Sequence, residues 1–213
     1  CVFFFFIKIG DTMKKMLILL LCLLCTFGCT KKGDDSLKGN INIKEATGKD
    51  NRLIYFITNK NKENIDLTIK TIFYDKDKNK ISEDESTINA ITPNHEIVYQ
   101  LFKTPNNYDS KTIEVIPNIS KYQDTYENEI NLETHNAEGN YEVYVTNNSK
   151  FTLNELSISF VYYQNNEVVG VSTNNLNNLY SKDTTKIKIS HPYNEKYEEI
   201  PYDNYKTYIN TAY

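Results

Sequence analysis

The sequence contains the same pattern twice, with the second copy offset by about 88 residues from the first. Ile41-Asn42-Ile43 corresponds to Ile130-Asn131-Leu132, and residues 53–59 correspond to residues 141–147. A chain built in this way either closes one core within each copy or shares a single core between the two. The repeat therefore limits the fold to two similar modules or to one core with two similar halves.

The third segment of each copy alternates between apolar and polar residues with a period of two. In the first copy Leu67, Ile69 and Phe73 alternate with polar Thr68 and Lys70. The matching apolar positions of the second copy are Leu156, Ile158, Phe160 and Tyr162. A helix would scatter these residues around its circumference, whereas a strand places them on one face. We therefore predict two strands that each turn one apolar face to a core.

The other segments of each copy also have the pattern of short strands separated by polar turns. The predicted hairpin turns are residues 76–80 and 165–166, and the predicted later strands are residues 97–101, 111–115, 186–189 and 206–209. Many short strands with turn signals between them, and no helical period, are typical of β-sandwiches. We predict an all-β protein with about seven short strands in each copy.

Each copy contains a complete set of segments, so neither needs the other to finish its core. We predict two separate domains of the same topology, at residues 41–122 and 128–213. The intervening residues 123–127 are polar, as a linker between modules is expected to be.

Two short runs resemble a known family signature. Thr71-Ile72-Phe73-Tyr74-Asp75 and Phe160-Val161-Tyr162-Tyr163-Gln164 resemble the signature strand of FxLYD-type domains, small immunoglobulin-like modules found in bacterial surface lipoproteins. The core signature residues carried over are Phe73, Tyr74, Asp75, Phe160, Tyr162 and Tyr163. The resemblance implies two tandem immunoglobulin-like antiparallel β-sandwiches in an extracytoplasmic setting, and it supplies no catalytic residue.

The residues before the repeat have the three parts of an export signal. Lys14 and Lys15 follow Met13, an apolar run covers residues 16–24, and the small residue Gly28 precedes Cys29. The apolar run is shorter than the roughly 20 residues of a membrane-spanning helix, and polar residues follow Cys29 at once. We therefore predict that residues 1–28, an upstream leader and a signal peptide, are removed. Residues 1–12 are interpreted as translated leader DNA, although a longer signal peptide with an earlier start is an alternative.

Thr26-Phe27-Gly28-Cys29 resembles the lipobox of bacterial lipoproteins. The resemblance implies cleavage after Gly28 and a thioether-linked diacylglycerol on Cys29, which makes the membrane a partner through palmitate or a similar acyl chain. Residues 29–40 are then predicted to form a flexible tether. The alternative is ordinary signal-peptidase cleavage near Gly28, which would release a free secreted product.

Composition excludes one class of partner. The whole chain has a formal net charge of −4, and removing the leader makes it more negative, since three lysines and one aspartate leave with it. No basic stripe stands apart from acidic neighbours, so nucleic acid is not expected as a partner.

The 17 Tyr and absent Trp, with abundant Asn, Lys and Ile, suggest a low-GC Gram-positive source. Codon bias and strand propensity explain the tyrosines more simply than a binding surface does.

The sequence contains no recognisable metal-binding or catalytic motif. Residues 75–79 begin like a calcium loop, but Lys80 stands where that loop needs glycine and Ser86 stands where it needs a bidentate glutamate. A hairpin turn explains the same residues. We predict three isolated loop histidines, and the acidic neighbours Glu83 and Asp84 are predicted to point to opposite faces of a strand. The sequence therefore predicts no catalytic residue, no metal site and no cofactor.

These observations lead to one expectation about function and two alternatives. We expect a lipoprotein anchored to the outer face of the cell membrane, with a non-enzymatic binding or spacer role and an unidentified protein or cell-envelope partner. The first alternative is a wall-directed enzyme or an accessory subunit of one. A solute receptor is a weaker alternative, because such receptors usually enclose ligand between α/β lobes and this sequence has no β-α alternation.

Overall fold

The computed structural model describes residues 35–213. A short helix α1 spans Asp35–Lys38, and strands β1 to β6 span Ile41–Thr47, Leu53–Asn59, Ile65–Tyr74, Lys80–Ile91, Glu96–Gln100 and Ser110–Ile119. After a 3₁₀ turn at Glu127–Glu129, strands β7 to β12 span Ile130–Ala137, Asn140–Asn147, Leu153–Gln164, Glu167–Leu179, Thr184–Ser190 and Asn204–Ala212. The predicted all-β fold is confirmed, with six strands in each repeat where about seven were expected. The predicted signal peptide, Gly28 and Cys29 lie outside the described residues.

The twelve strands form four antiparallel sheets of three strands each. The first repeat contains the sheets β1-β2-β5 and β4-β3-β6, and the second repeat contains the corresponding sheets β7-β8-β11 and β10-β9-β12. The central strands of the two sheets are therefore β2 and β3 in the first repeat, and β8 and β9 in the second. The two repeats share one topology, as the internal repeat of the sequence predicts.

Each repeat has its own apolar core between its two sheets. In the first repeat the fully buried side chains include Leu53, Tyr55, Ile57, Ile65, Leu67, Ile69 and Phe73. In the second they include Val143, Val145, Leu156, Ile158, Phe160 and Tyr162. Both sets alternate along their strands, because successive side chains of a strand point to opposite faces. The alternation predicted from the sequence for residues 67–73 and 156–162 thus identifies core positions.

The signature residues of the two repeats divide between the core and the surface. Phe73 of β3, and Phe160 and Tyr162 of β9, are fully buried in their cores. Tyr74 and Tyr163 point to the opposite face of their strands and are half-buried. Asp75 lies beyond the end of β3, so the fully buried members of the signature are Phe73, Phe160 and Tyr162.

Asp75 organises the turn between β3 and β4. Its Oδ1 accepts hydrogen bonds from the backbone N–H groups of Asp77 at 2.9 Å and Asn79 at 2.8 Å. These bonds to the ionised carboxylate hold the pKa of Asp75 below its ordinary value. The hairpin interpretation of residues 75–79 is confirmed, and the side chain resembling a calcium ligand serves the turn.

One buried asparagine occupies the same place in each repeat. At the end of β8, Asn147 Nδ2 donates to the carbonyl oxygens of Phe151, Leu179 and Tyr180, and its Oδ1 accepts from the N–H of Ser149. In the first repeat, Asn59 Nδ2 donates to the carbonyl oxygens of Glu63 and Ile91, and its Oδ1 accepts from the N–H of Asn61. Each amide therefore satisfies backbone groups of two loops that would otherwise be buried without partners.

Replacing Asn147 with alanine is expected to lower the free energy of unfolding by about 1–3 kcal/mol, because buried carbonyl groups lose their donors. Asn148→Ala is the matched control, since its exposed side chain lies one residue away and its loss should cost less than about 0.5 kcal/mol. Equilibrium urea unfolding measures both values. Equal effects of the two substitutions would contradict the role of the buried amide.

The two repeats pack against each other through a third apolar cluster. Ile54 and Phe56 of β2 and Val98 of β5 meet Val161 of β9 and Tyr208 of β12. The β1-β2-β5 sheet of the first repeat therefore turns its outer face to the outer face of the β10-β9-β12 sheet of the second. These two sheets do not correspond to each other in the repeat. The contact therefore joins unlike faces of the two modules, an arrangement called front to back below. The two cores are separate, but β2 and β9 are buried on both faces.

Polar bonds complete this interface. The backbone N–H of Val98 donates to Oδ1 of Asn210 at 2.9 Å, and Nδ2 of Asn210 donates to Oγ of Ser159 at 2.8 Å. The N–H of Lys49 donates to the carbonyl oxygen of Val169 at 2.9 Å. Asn210 is buried, so each of its bonds replaces a lost contact with water. The two sandwiches are thereby held in one arrangement.

The start of the first repeat corrects the predicted flexible tether. Helix α1 buries Leu37 in the first core, and Nδ2 of Asn61 donates to the carbonyl oxygen of Leu37 at 3.2 Å. The side chain of Asn40 also donates to Oδ1 of Asn61. Residues 35–40 therefore belong to the first sandwich, because one apolar side chain and two polar contacts fix them. Within residues 35–213, no helix has the length and apolar character needed to cross a bilayer.

Candidate functional site

An open cleft of about 800 Å³ lies between the two repeats. One wall comes from β4 and β5, and the other comes from β9, β10, β11 and β12. Its lining is rich in uncharged hydroxyl and amide side chains, among them Ser86, Thr87, Asn89, Ser172, Asn174 and Asn175. Because each repeat supplies one wall, the width of the cleft depends on the packing between the sandwiches.

A smaller hollow of about 330 Å³ adjoins this cleft. It lies between the loop of residues 102–106, which follows β5, and the loop of residues 193–197, which precedes β12. Arg52 and Phe102 line both spaces, so the cleft and the hollow meet at these two residues. Together they form one continuous site, called the inter-repeat cleft below.

Arg52, the one arginine in the chain, lies where the two parts of the inter-repeat cleft meet. Its Nη2 and Nε lie 2.6 Å and 2.7 Å from Oδ2 of Asp50, and its backbone N–H donates to Oδ1 of the same residue at 3.1 Å. The Asp50 side chain is 6% exposed and that of Arg52 is 39% exposed. A buried carboxylate therefore fixes the guanidinium in place and leaves part of it open to a ligand.

Two exposed aromatic rings flank the hollow. Phe102 is 90% exposed and Tyr197 is 88% exposed, the highest values among the large apolar side chains of residues 35–213. The backbone at Phe102 is held in place, because the neighbouring Leu101 is buried and the Phe102 N–H donates to Oδ2 of Asp84 at 3.3 Å. The loop is fixed further by Thr104, whose Oγ1 accepts from the N–H of Leu53 at 3.0 Å.

Tyr197 stands at the tip of a tight turn fixed by Asn194. Oδ1 of Asn194 accepts from the N–H groups of Lys196 at 2.9 Å and Glu198 at 3.0 Å, and the N–H of Tyr197 donates to the Asn194 carbonyl. The φ angle of Tyr197 is +60°, a conformation that is costly for a bulky side chain. The turn therefore keeps a large ring in solvent at the expense of local backbone strain.

The acidic neighbours Glu83 and Asp84 point to opposite faces of β4, as predicted. Glu83 forms ion pairs with Lys80 at 2.6 Å and Lys70 at 3.0 Å, which hold the pKa of the Glu83 carboxyl below its usual range. Asp84 accepts from the Tyr99 hydroxyl at 2.5 Å, and burial together with this carboxylate raises the pKa of Tyr99. Asp84 is thus engaged at the edge of the inter-repeat cleft.

The three histidines lie far apart in the sequence and have different surroundings. His135 lies on β7 and contacts Glu133 at 2.9 Å, so its prediction as a loop residue is wrong. His191 is buried, with Nδ1 at 3.0 Å from Oε1 of Glu199, whereas a solvated ring was expected. Tyr141 and Tyr202 pack on its ring because the loop after β11 folds over the second core. No cluster of three or more potential metal-binding side chains occurs within residues 35–213.

Sequence reasoning did not identify the residues of the inter-repeat cleft. Arg52, Phe102 and Tyr197 are widely separated in the chain, and none belongs to a motif. Two weak signals were present, namely the single arginine and the aromatic residues within turn-rich segments. Neither signal indicates a site until the packing of the two repeats brings these segments together.

Comparisons with known proteins add little to this description. No family model matches the chain, and a search of curated proteins finds no match. Among solved structures, red sea bream transglutaminase is similar to 71% of this chain with 12% sequence identity and a TM-score of 0.20. The match covers 27% of the transglutaminase chain, and at this TM-score it carries no conclusion about fold or activity.

Proposed function

We propose that this protein is a lipid-anchored, extracytoplasmic binding protein that holds a cell-envelope component in the inter-repeat cleft without transforming it. The observation that carries the proposal is the cleft itself, which is lined by both repeats and has a fixed shape. A simple spacer would need no such surface, whereas a binding protein benefits from a preorganised one. The buried contact between β2 and β9 supplies that preorganisation.

The proposed anchor would hold this cleft close to the membrane. Only residues 30–34 separate the proposed lipid attachment at Cys29 from helix α1. The six Cα-to-Cα steps from Cys29 to Asp35 reach at most about 20 Å in a fully extended chain. A protein attached in this way would act on components next to the outer face of the cell membrane, and would not reach far into the surroundings.

We also propose that both sandwiches are FxLYD-type modules. Their signature strands β3 and β9 occupy the same central position in corresponding sheets. Phe73 and Tyr162 occupy the same position of the two signature runs, point into the core from those strands and are fully buried in both. This equivalence is what two copies of one signature would produce.

Lipidation of Cys29 makes a direct prediction. Cells expressing the protein and fed labelled palmitate should incorporate label into the wild-type chain, while Cys29→Ser should lose essentially all of it. Cys25→Ser is the matched control, because this cysteine lies within the apolar run of the predicted signal and should leave labelling unchanged. Equal labelling of wild type and Cys29→Ser would exclude the anchor.

The binding role can be tested in intact cells with the full chain. A photoreactive phenylalanine analogue at Ser172, inside the cleft, should form a covalent adduct with an envelope component. The same analogue at Tyr144, on the outer face of β8 and away from the cleft, is the control and should form none. Adducts from neither position, or from both equally, would contradict the proposed role of the cleft.

A further inference from the structure

We infer that the ligand of the inter-repeat cleft is an uncharged glycan strand whose sugar rings stack on Phe102 and Tyr197. The inference rests on the proposed binding function and adds the chemical class of the ligand. Three features of the cleft support it, namely its exposed rings, its neutral polar lining and its fixed arginine.

The two exposed rings are placed where a ligand would cover both. Phe102 and Tyr197 come from different repeats and line the same hollow. Exposed aromatic surface is unfavourable in water, and it is retained at binding sites where a partner covers it. The C–H groups of a pyranose ring form a flat apolar face of similar size to an aromatic ring. The strained φ angle at Tyr197 indicates that ring display is maintained against a local energetic cost.

The remaining lining matches the hydroxyl groups of a sugar. Serine, threonine and asparagine side chains offer both donors and acceptors, as does a glycan, and they carry no charge. The charged side chains nearly balance in both parts. The larger part is lined by Asp84, Glu85 and Glu155 together with Arg52 and Lys188, and the hollow is lined by Asp50 and Glu195 together with Arg52 and Lys103. A strongly anionic or cationic ligand would find no complementary field there.

Arg52 offers the inter-repeat cleft a hydrogen-bond donor of fixed orientation. Its Nε and Nη2 are occupied by Asp50, and its exposed part can donate to neighbouring hydroxyl oxygens of one sugar. The Asp50 carboxylate offsets the charge of the guanidinium, so a neutral acceptor suits it better than a lone anion would. The open cleft beside it, with a volume of about 800 Å³, has room for a chain of several sugars.

The test is a calorimetric titration of the lipid-free full chain carrying Cys29→Ser. The probes are uncharged tetrasaccharides of β-linked glucose, N-acetylglucosamine and mannose. At least one should bind, and Phe102→Ala and Tyr197→Ala should each weaken that binding at least tenfold. Tyr180→Ala is the matched control, because Tyr180 is also exposed but does not line the cleft, and it should leave the affinity unchanged. Circular dichroism should show the same fold for all three variants.

Two outcomes would overturn the inference. If none of the tetrasaccharides binds, or if both ring substitutions leave the affinity unchanged, the cleft is not a glycan site. Failure here is distinguishable from failure of the proposed function, since the photoreactive analogue at Ser172 reports any envelope partner. An adduct at Ser172 that protease digests and glycosidases do not would leave a binding protein with a polypeptide partner in place of a glycan.

Discussion

Replacing Phe160 with alanine is expected to lower the free energy of unfolding by about 3–5 kcal/mol. Its ring is fully buried in the second core and stacks on Tyr205 with centroids 4.8 Å apart and planes 10° apart. Tyr141 also packs on it, at 5.6 Å. Truncation removes these contacts and leaves a cavity that the surrounding strands can fill only in part. Equilibrium urea unfolding of the full chain measures the loss.

Phe73→Ala provides the corresponding test in the first repeat. Phe73 is equally buried and packs edge to face on Tyr108 at 4.9 Å, so a loss of about 3–5 kcal/mol is expected there too. Phe102→Ala is the control, because a ring that is 90% exposed should cost less than about 0.5 kcal/mol. A loss below about 1 kcal/mol at either buried position would mean that the strand turns its other face to the core.

Alkaline pH is expected to destabilise the protein steeply above pH 10. Burial raises the pKa of Tyr55 from 10.0 to about 12, and burial raises the pKa of Tyr162 as well. Between pH 10 and 12 the unfolded chain loses these phenolic protons while the folded protein keeps them. The stability that these groups supply is therefore complete below pH 10 and is lost as the pH rises. Each group accounts for about 1.4 kcal/mol per pH unit in this range.

Tyr55→Phe tests this pH dependence with the ring retained. The hydroxyl of Tyr55 hydrogen-bonds with Oγ1 of Thr71 at 3.0 Å, so the substitution should cost about 1 kcal/mol at neutral pH. Above pH 10 the variant should lose stability more slowly than wild type, by about 1.4 kcal/mol per pH unit. Tyr180→Phe, at an exposed position, should leave the slope unchanged. Urea unfolding at pH 9 to 12 decides the question, and identical slopes for Tyr55→Phe and wild type would refute it.

The positions of several strands and turns along the chain could be predicted because the relevant signals are local. The alternation at residues 67–73 and 156–162 follows from one buried face and one wet face. The turn at Asn165 and Asn166 was predictable for a similar reason, since both adopt positive φ angles of 52° and 66°, which asparagine tolerates well. Each of these features depends on fewer than ten neighbouring residues.

The packing between the repeats was missed, although the sequence carries a signal for it. Residues 53–57 of β2 form an unbroken apolar run, whereas the equivalent residues 141–145 of β8 alternate with Glu142. Residues 160–163 of β9 are likewise unbroken. An unbroken run marks a strand buried on both faces. Comparing β2 with β8 would have shown that the outer face of β2 is the one to be covered.

The cleft could not have been predicted in the same way. Its aromatic rings lie on loops of different repeats, about 95 residues apart in sequence, and no period links them. Their proximity results from the tertiary contact between β2, β5, β9 and β12. A site formed by packing between modules leaves no pattern within either module.

The front-to-back contact between the repeats has a consequence for assembly. If the two modules were identical, joining them through unlike faces would leave one binding face exposed at each end of the pair. Further copies could then add at both ends without limit and form a fibre. Here the free face of β8 carries Glu142 and Thr146, and the free face of β3 carries Thr68 and Lys70. The charged and hydroxyl side chains at these positions disfavour further stacking through either free face.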